Sequence, residues 1–193
     1  MITLLAILNM VSPLSSALSR EITRFARCRL IGSKTKLLLD GQICDNIYFV
    51  ESGILRVYYS NNSKDITSSF SMAGQACVST ESFFKQRCGI ETIQAVCKSK
   101  VWFIDHEQYL YLSANYPEFK DICRTFLENC HIARERRLQA MWMQPALHRY
   151  KWLRENWPEV IDKIPGKYVC SYIGITPVML SRLKNPLIHP SAI

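Results

Sequence analysis

The stretch KYVCSYIGITPVMLSRLK, residues 167–184, has the grammar of two short helices meeting at a tight turn. Apolar Val169, Ile173, Ile175, Leu180 and Leu183 interlock around two small residues, Cys170 in the first helix and Gly174 at the turn. In a helix-turn-helix the axes cross at roughly 90–120°, so the first helix must be small where the second approaches, and the turn often contains Gly. Thr176 supplies a side-chain oxygen for the free N–H groups of the second helix. Pro177 sits at that helix's first position, where no N–H is needed. A second helix so placed enters a DNA major groove with its N-terminal residues toward base edges. The competing reading of the same stretch is a helical hairpin packed in an unrelated core.

Charge supports the first reading. The chain of 193 residues carries a net charge of +8, unevenly distributed. Residues 1–133 hold 14 Lys/Arg against 12 Asp/Glu, whereas residues 134–193 hold 10 against 4. The excess thus collects around the two-helix motif, as a surface for a polyanion requires. Eight cysteines show no C-x-x-C pair and no zinc-ligand spacing, and several lie in apolar runs, so reduced, buried thiols in a cytoplasmic protein are expected. A thiol cluster would need folding to gather Cys77, Cys88 and Cys97. The N-terminal MITLLAILNMV is too short for a membrane span and lacks the basic leader of a signal peptide.

Upstream, Ser12-Pro13 signals a helix start, and Leu14, Leu18, Ile22 and Phe25 follow at helical spacing to about Arg27. From Arg29 to Asp105 the texture changes to short strands, at Lys36–Leu39, Ile47–Val50, Ile54–Tyr59, Asp65–Met72, Ile90–Val96 and Val101–Ile104. Turn signals at Asp40-Gly41, Ser52-Gly53, Asn61-Asn62 and Ala73-Gly74 separate them, and STESFF (79–84) reads as one helical turn. Such spacing predicts an antiparallel sandwich or barrel. Asp105 caps a short helix to Asn115, and Pro117 opens a long one. In that helix Phe119, Cys123, Phe126, Cys130 and Ala133 recur at steps of four and three, a seam to be buried on the chain's own domain or on a second copy of the chain, of which dimerisation is the sharper reading. A hinge is expected at Met143–Pro145, then a helix to Asn156, and a stop at Asn185-Pro186.

This order resembles the Crp/Fnr family of transcription regulators, and three strings carry the resemblance: LLLDGQICDNIYFVESGILRVYY, GQACVSTESFF and KYVCSYIGITPVMLSRL. It implies an α+β chain: an antiparallel jelly-roll barrel of cyclic-nucleotide-binding type, a long dimerisation helix, and a small helix-turn-helix domain. The expected divisions are residues 1–116, 117–143 and 144–193. The partners implied are double-stranded DNA, a second copy and a small-molecule effector, with no membrane. Lys167, Thr176, Val178, Ser181, Arg182 and Lys184 are the DNA-facing candidates, and Arg149 is a further phosphate contact.

The effector pocket implied by the family comprises Val78, Ser79, Thr80, Glu81, Arg87, Gly89 and Ile90. Here the sequence departs from nucleotide-binding members. Their Gly-Glu pair is Val78-Ser79, and their phosphate-binding Arg is replaced at Gly89-Ile90. Arg87 and Glu81 lie two residues away on either side, which leaves a shifted pocket as an alternative. Loss of the cation disfavours a cyclic nucleotide, and no other cofactor is expected. The reading helix departs too, with Pro177-Val178 where the family presents Arg and Glu, so Arg182 is the remaining base reader. The competing functions are a sensor or scaffold that has lost specific DNA binding, and a cupin-like enzyme. His106, His131, His148 and His189 all follow the barrel strands, and no ligand or nucleophile motif occurs, so catalysis is not expected.

Overall fold

The computed structural model describes residues 3–61 and 64–184, and in it the chain forms two compact units. The first comprises residues 1–60 and 68–130; the second comprises residues 61–67 and 131–193.

Among the described residues eight strands are formed, all but the end of β4 and the start of β5 falling in the first unit: β1 Arg27–Ile31, β2 Lys36–Leu38, β3 Asn46–Ser52, β4 Ile54–Asn61, β5 Lys64–Met72, β6 Ala76–Cys77, β7 Thr92–Ala95 and β8 Ser99–Asp105. They form two four-stranded sheets, ordered β1-β8-β3-β6 and β2-β7-β4-β5, with antiparallel pairing as expected for a jelly roll. Alternate residues of facing strands fill the interior: Val50 lies opposite Val101, and Leu55 and Val57 lie opposite Ala95 and Ile93, all buried. The β3–β4 turn rests on Gly53, whose φ of +90° only glycine adopts without strain. A Cβ there would overlap the backbone of Ser99. Gly41 and Gly74 also have positive φ, at the turns the sequence marked. Of the Asn61-Asn62 signal, Asn62 lies outside the described residues.

Short helices flank the strands of this unit. Helix α1, Leu4–Asn9, was not expected: its Leu4, Ile7 and Leu8 are buried in the core, so the apolar N-terminal segment is a barrel-covering helix. Helix α2, Ser16–Phe25, begins later than Ser12-Pro13 implies, because Ser15 is the side chain that accepts from the N–H of Leu18. Asn9 Oδ1 accepts from the N–H of Leu14, fixing the intervening turn. Arg27 is then the first residue of β1 rather than the last of the helix. Helix α3, Thr80–Lys85, is the expected short turn. Helix α4, His106–Asn115, carries a full capping box between Asp105 and Gln108.

Helix α5, Pro117–Met143, is continuous through both units, and the division falls inside it, after Cys130. Its first part explains why. Phe119, Ile122 and Cys123 are buried in the barrel's own core cluster, and Phe126 packs against it, its ring 5.8 Å from Phe49. The expected dimer seam is corrected to cover by the chain's own domain: Phe119 and Cys123 are barrel core and Phe126 is half-buried against it, while Cys130 is exposed and Ala133 half-buried. Heptad-like spacing identifies one apolar side of a helix, but the neighbour that covers it is a tertiary property.

The second unit holds the rest of α5 with α6 Ala146–Asn156, α7 Pro158–Lys163, α8 Gly166–Ile173 and α9 Pro177–Lys184. Its core gathers Tyr150, Leu153, Ile161, Ile164, Tyr168, Val169, Cys170, Tyr172, Ile173 and Leu180. The expected stop at Asn185-Pro186, and His189, lie outside the described residues.

Candidate functional site

Helices α8 and α9 form the pair read from residues 167–184. Helix α8 ends at Gly174, whose left-handed conformation (φ 63°, ψ 46°) turns the chain sharply. The N–H groups of Gly174 and Ile175 both donate to the carbonyl of Cys170, so the last turn is satisfied as the chain leaves it. Thr176 Oγ1 then accepts from the N–H of Met179 at 3.2 Å, the cap predicted for α9. Leu180 is buried against α8, where the first helical residue is Gly166; a Cβ at Gly166 would stand 3.2 Å from Leu180 Cδ2. That close approach gives Gly166 a packing role that Pro165-Gly166, read as a lead-in, did not reveal.

With Leu180 inward, the opposite face of α9 presents Val178, Ser181 and Arg182, while Lys184 at the end of α9 and Lys167 in the first turn of α8 are exposed. Of the DNA-facing candidates, Val178, Ser181 and Arg182 are thus exposed on the side of α9 away from Leu180, and Thr176 serves as the cap. Arg149 is different. Its guanidinium donates to the carbonyls of Met141 and Gln144, each at 3.2 Å, and of Gly174 at 3.1 Å. It joins the end of α5 to the turn between α8 and α9, which corrects the expectation that it contacts phosphate. Its role depends on carbonyls that only folding gathers.

Arg137, which the sequence offers only as part of the basic surface of the long helix, is likewise turned to a structural role. Its Nε donates to the carbonyl of Tyr172 at 2.8 Å, its Nη2 to that of Thr67 at 3.1 Å, and its guanidinium stacks 4.7 Å from the Tyr172 ring. Trp157 stacks on the same ring at 5.7 Å. Burial pushes the Tyr172 phenol up to about 12, with Arg137 opposing the rise. Ser171 Oγ donates to Thr67 Oγ1 at 2.8 Å, so α8 is pinned along its inner side.

In the barrel, the expected pocket residues split into two groups. Ser79 and Gly89 gather inward beside Ser82, which the pocket expected from the sequence does not include. Ser79 Oγ donates to Glu91 Oε2 at 2.7 Å, Ser82 Oγ donates to the carbonyl of Arg87 at 2.6 Å, and a Cβ at Gly89 would lie 3.0 Å from Ser82 Cβ. Val78 lines a small apolar cavity of about 30 Å³ with Phe84, Tyr109, Cys123 and Phe126. Glu81 instead faces solvent and pairs with Lys85 at 3.7 Å, Arg87 is exposed, and Ile90 is 71% exposed. The shifted pocket built on Glu81 and Arg87 is thus not assembled: Glu81, in the first turn of α3, and Arg87, beyond its end, are both exposed. Thr80 is half-buried at the start of α3. A second cavity, about 450 Å³, is lined by Leu37, Gln42, Ile43, Asp45, Asn46 and Tyr48 among others, with no Lys or Arg.

The cysteines stay separate as sites. Cys44, Cys77, Cys123 and Cys170 are buried, and burial pushes Cys77 and Cys123 up to about 12. Among the described residues no three of His, Cys, Asp and Glu are grouped to hold a metal, so Cys77, Cys88 and Cys97 do not form a metal-binding cluster.

A jelly-roll barrel of cyclic-nucleotide-binding type, followed by a long helix and a helix-turn-helix, defines the class of this chain. Residues 31–116 match the family model described as the cyclic nucleotide-binding domain. The fold is that of the Crp/Fnr regulators, as the sequence resemblance implied. A putative Crp/Fnr-family transcriptional regulator from Eubacterium rectale superposes with a TM-score of 0.71 at 16% identity, covering 91% of this chain and 84% of that one. A CooA variant from Carboxydothermus hydrogenoformans gives 0.70 at 18%, covering 96% and 84%. The c-di-GMP-responsive global regulator CLP of Xanthomonas campestris gives 0.70 at 12%, covering 91% and 93%. No curated protein matches this sequence.

Proposed function

We propose that the protein is a homodimeric transcription regulator of Crp/Fnr type that binds double-stranded DNA through α9 and acts by binding rather than catalysis. The observation that carries this reading is the outward face of α9: a capped helix with Leu180 buried behind it and Arg182 exposed at its centre. Residues 134–193 supply the basic surround. Arg182 is the bidentate donor suited to guanine O6 and N7, while Lys167 and Lys184 serve phosphates. Action on DNA places the protein in the cytoplasm; among the described residues no helix is long and apolar enough to cross a membrane.

Dimerisation uses the outer side of α5. With Phe119 and Cys123 buried in the barrel and Phe126 half-buried against it, the later part of the helix still exposes Ile132, Leu138, Trp142 and Met143. A second copy covering that side would remove them from water. The barrel takes an effector other than a cyclic nucleotide. Gly89-Ile90 stands where nucleotide-binding members place the phosphate-binding Arg, and the nearby cations Lys85 and Arg87 are both exposed, leaving a phosphate without a buried partner. An effector shifts the heads only through different affinities for two arrangements of the dimer.

The test is an electrophoretic shift with operators selected from random duplexes. The parent is expected to select a palindrome, and Arg182→Ala to lose most specific binding. Binding no tighter than nonspecific at physiological salt across all sequences would favour the second reading, a sensor or scaffold without DNA recognition, which the apolar Val178 at a reading position supports. A thermal-shift assay with cyclic nucleotides tests the effector statement: a true ligand at 100 times its Kd stabilises by about 2.7 kcal/mol.

A further inference from the structure

The outward face of α9 carries one side chain out of keeping with a polar, basic surface. Val178, in the first turn, is 62% exposed, while its neighbours on that face are Ser181 and Arg182. It sits opposite buried Leu180, so it forms no part of the unit's core. A β-branched apolar residue here also gains nothing from helix propensity.

Resting on the DNA-binding reading above, we infer that Val178 is a specificity residue that reads the C5-methyl group of a thymine in the operator half-site. The major-groove edges of guanine, cytosine and adenine present donors and acceptors, and Val can satisfy none of them. The one apolar group on those edges is the thymine methyl. Setting Val178 against any other base would bury a polar edge without a partner, which is costly. Val178 therefore discriminates in two ways, by contact with thymine and by exclusion of the alternatives.

The spacing to Arg182 sets where that thymine lies. Four residues of α-helix advance about 6 Å along the axis, and base pairs rise about 3.4 Å. With the helix along the groove, the thymine read by Val178 stands about two base pairs from the guanine read by Arg182. The half-site thus carries a thymine and a guanine in fixed register, once in each arm of the palindrome.

The experiment uses the full-length protein and an operator selected from random duplexes, with each thymine replaced in turn by deoxyuridine. That change removes one methyl and leaves every hydrogen-bonding group in place. At one position per half-site, about two base pairs from the conserved guanine, the replacement is expected to weaken binding about fourfold, the effect of one buried methyl. Val178→Ala should weaken binding to the thymine operator and no longer distinguish deoxyuridine from thymine there. Circular dichroism should show its helix content unchanged. If the parent selects an operator but no thymine shows a methyl dependence that Val178→Ala abolishes, the inference is wrong and the regulator reading stands. If no sequence is bound above the nonspecific level, both fail.

Discussion

Replacing Arg149 by Met takes a guanidinium away from three carbonyls, those of Met141, Gln144 and Gly174, and leaves its aliphatic length in place. Hydrogen bonds from a charged donor contribute about 1.5–3 kcal/mol when buried, and much less where water can replace the donor. Only the bond to Met141 is half-buried; the other two are exposed. The sum expected is therefore about 2 kcal/mol. For a unit of this size that lowers Tm by roughly 8–16 °C. The fluorescence of Trp152 and Trp157, both in the second unit, reports the transition. Arg149→Lys keeps the charge but cannot span three acceptors, and it should lose most of the same stability. The salt dependence of DNA binding separates this bracing role from a phosphate contact. Each phosphate contact contributes about 0.9 to the slope of log K against log salt. Arg149→Met, assayed below its Tm, should leave that slope unchanged, whereas Lys184→Ala should reduce it. An unaltered Tm with a slope reduced by about 0.9 would show that Arg149 holds DNA, and would refute its role as a brace between helices.

Phe119→Ala should destabilise the first unit by about 3–5 kcal/mol with no dependence on protein concentration, since Phe119 fills the barrel's own core; a Tm that shifts with dilution in the variant but not in the parent would restore it to a dimer interface. Gly53→Ala should cost at least about 2 kcal/mol in chemical denaturation, because φ is +90° and the new Cβ meets the backbone of Ser99. Stability should also fall as pH rises through and above about 9, because Cys77 and Cys123 stay protonated in the fold up to about 12, whereas the thiols of the unfolded chain ionise near 9.0. The stabilisation is thus fully present below pH 9 and decreases between 9 and 12, by on the order of 1 kcal/mol per thiol at pH 10. Denaturation of Cys77→Ala with Cys123→Ala should show a flatter profile, and an equal slope in parent and variant would remove these thiols as the cause.

Much of the architecture was legible in the chain because its signals are local. A capping box at Asp105, a cap at Thr176, glycines at 41, 53, 74 and 174, and Pro117 at a helix start each act within a few residues. Strand-like spacing between marked turns was enough to place β2 to β5, β7 and β8, and the long helix with its end before Pro145 was visible for the same reason. The short partners were not. Residues 76–77 form β6 only because β3 offers an edge, and β1 is mostly exposed, so neither has a pattern of its own. The N-terminal helix α1 lacked an amphipathic run long enough to read.

The candidate DNA surface was similarly legible in position and only partly in role. Alternation of Val169, Ile173 and Leu180 determined by itself that the two helices dock, and hence that Val178, Ser181 and Arg182 face outward. What the tertiary structure alone decided were the long-range matters: the barrel as cover for Phe119 and Cys123, Glu91 as partner to Ser79, and three carbonyls as the destination of Arg149. The physical reason is common to all three. A side chain's chemistry and spacing state what it needs, but whether a distant carbonyl, carboxylate or apolar face meets that need depends on which segments the fold brings together.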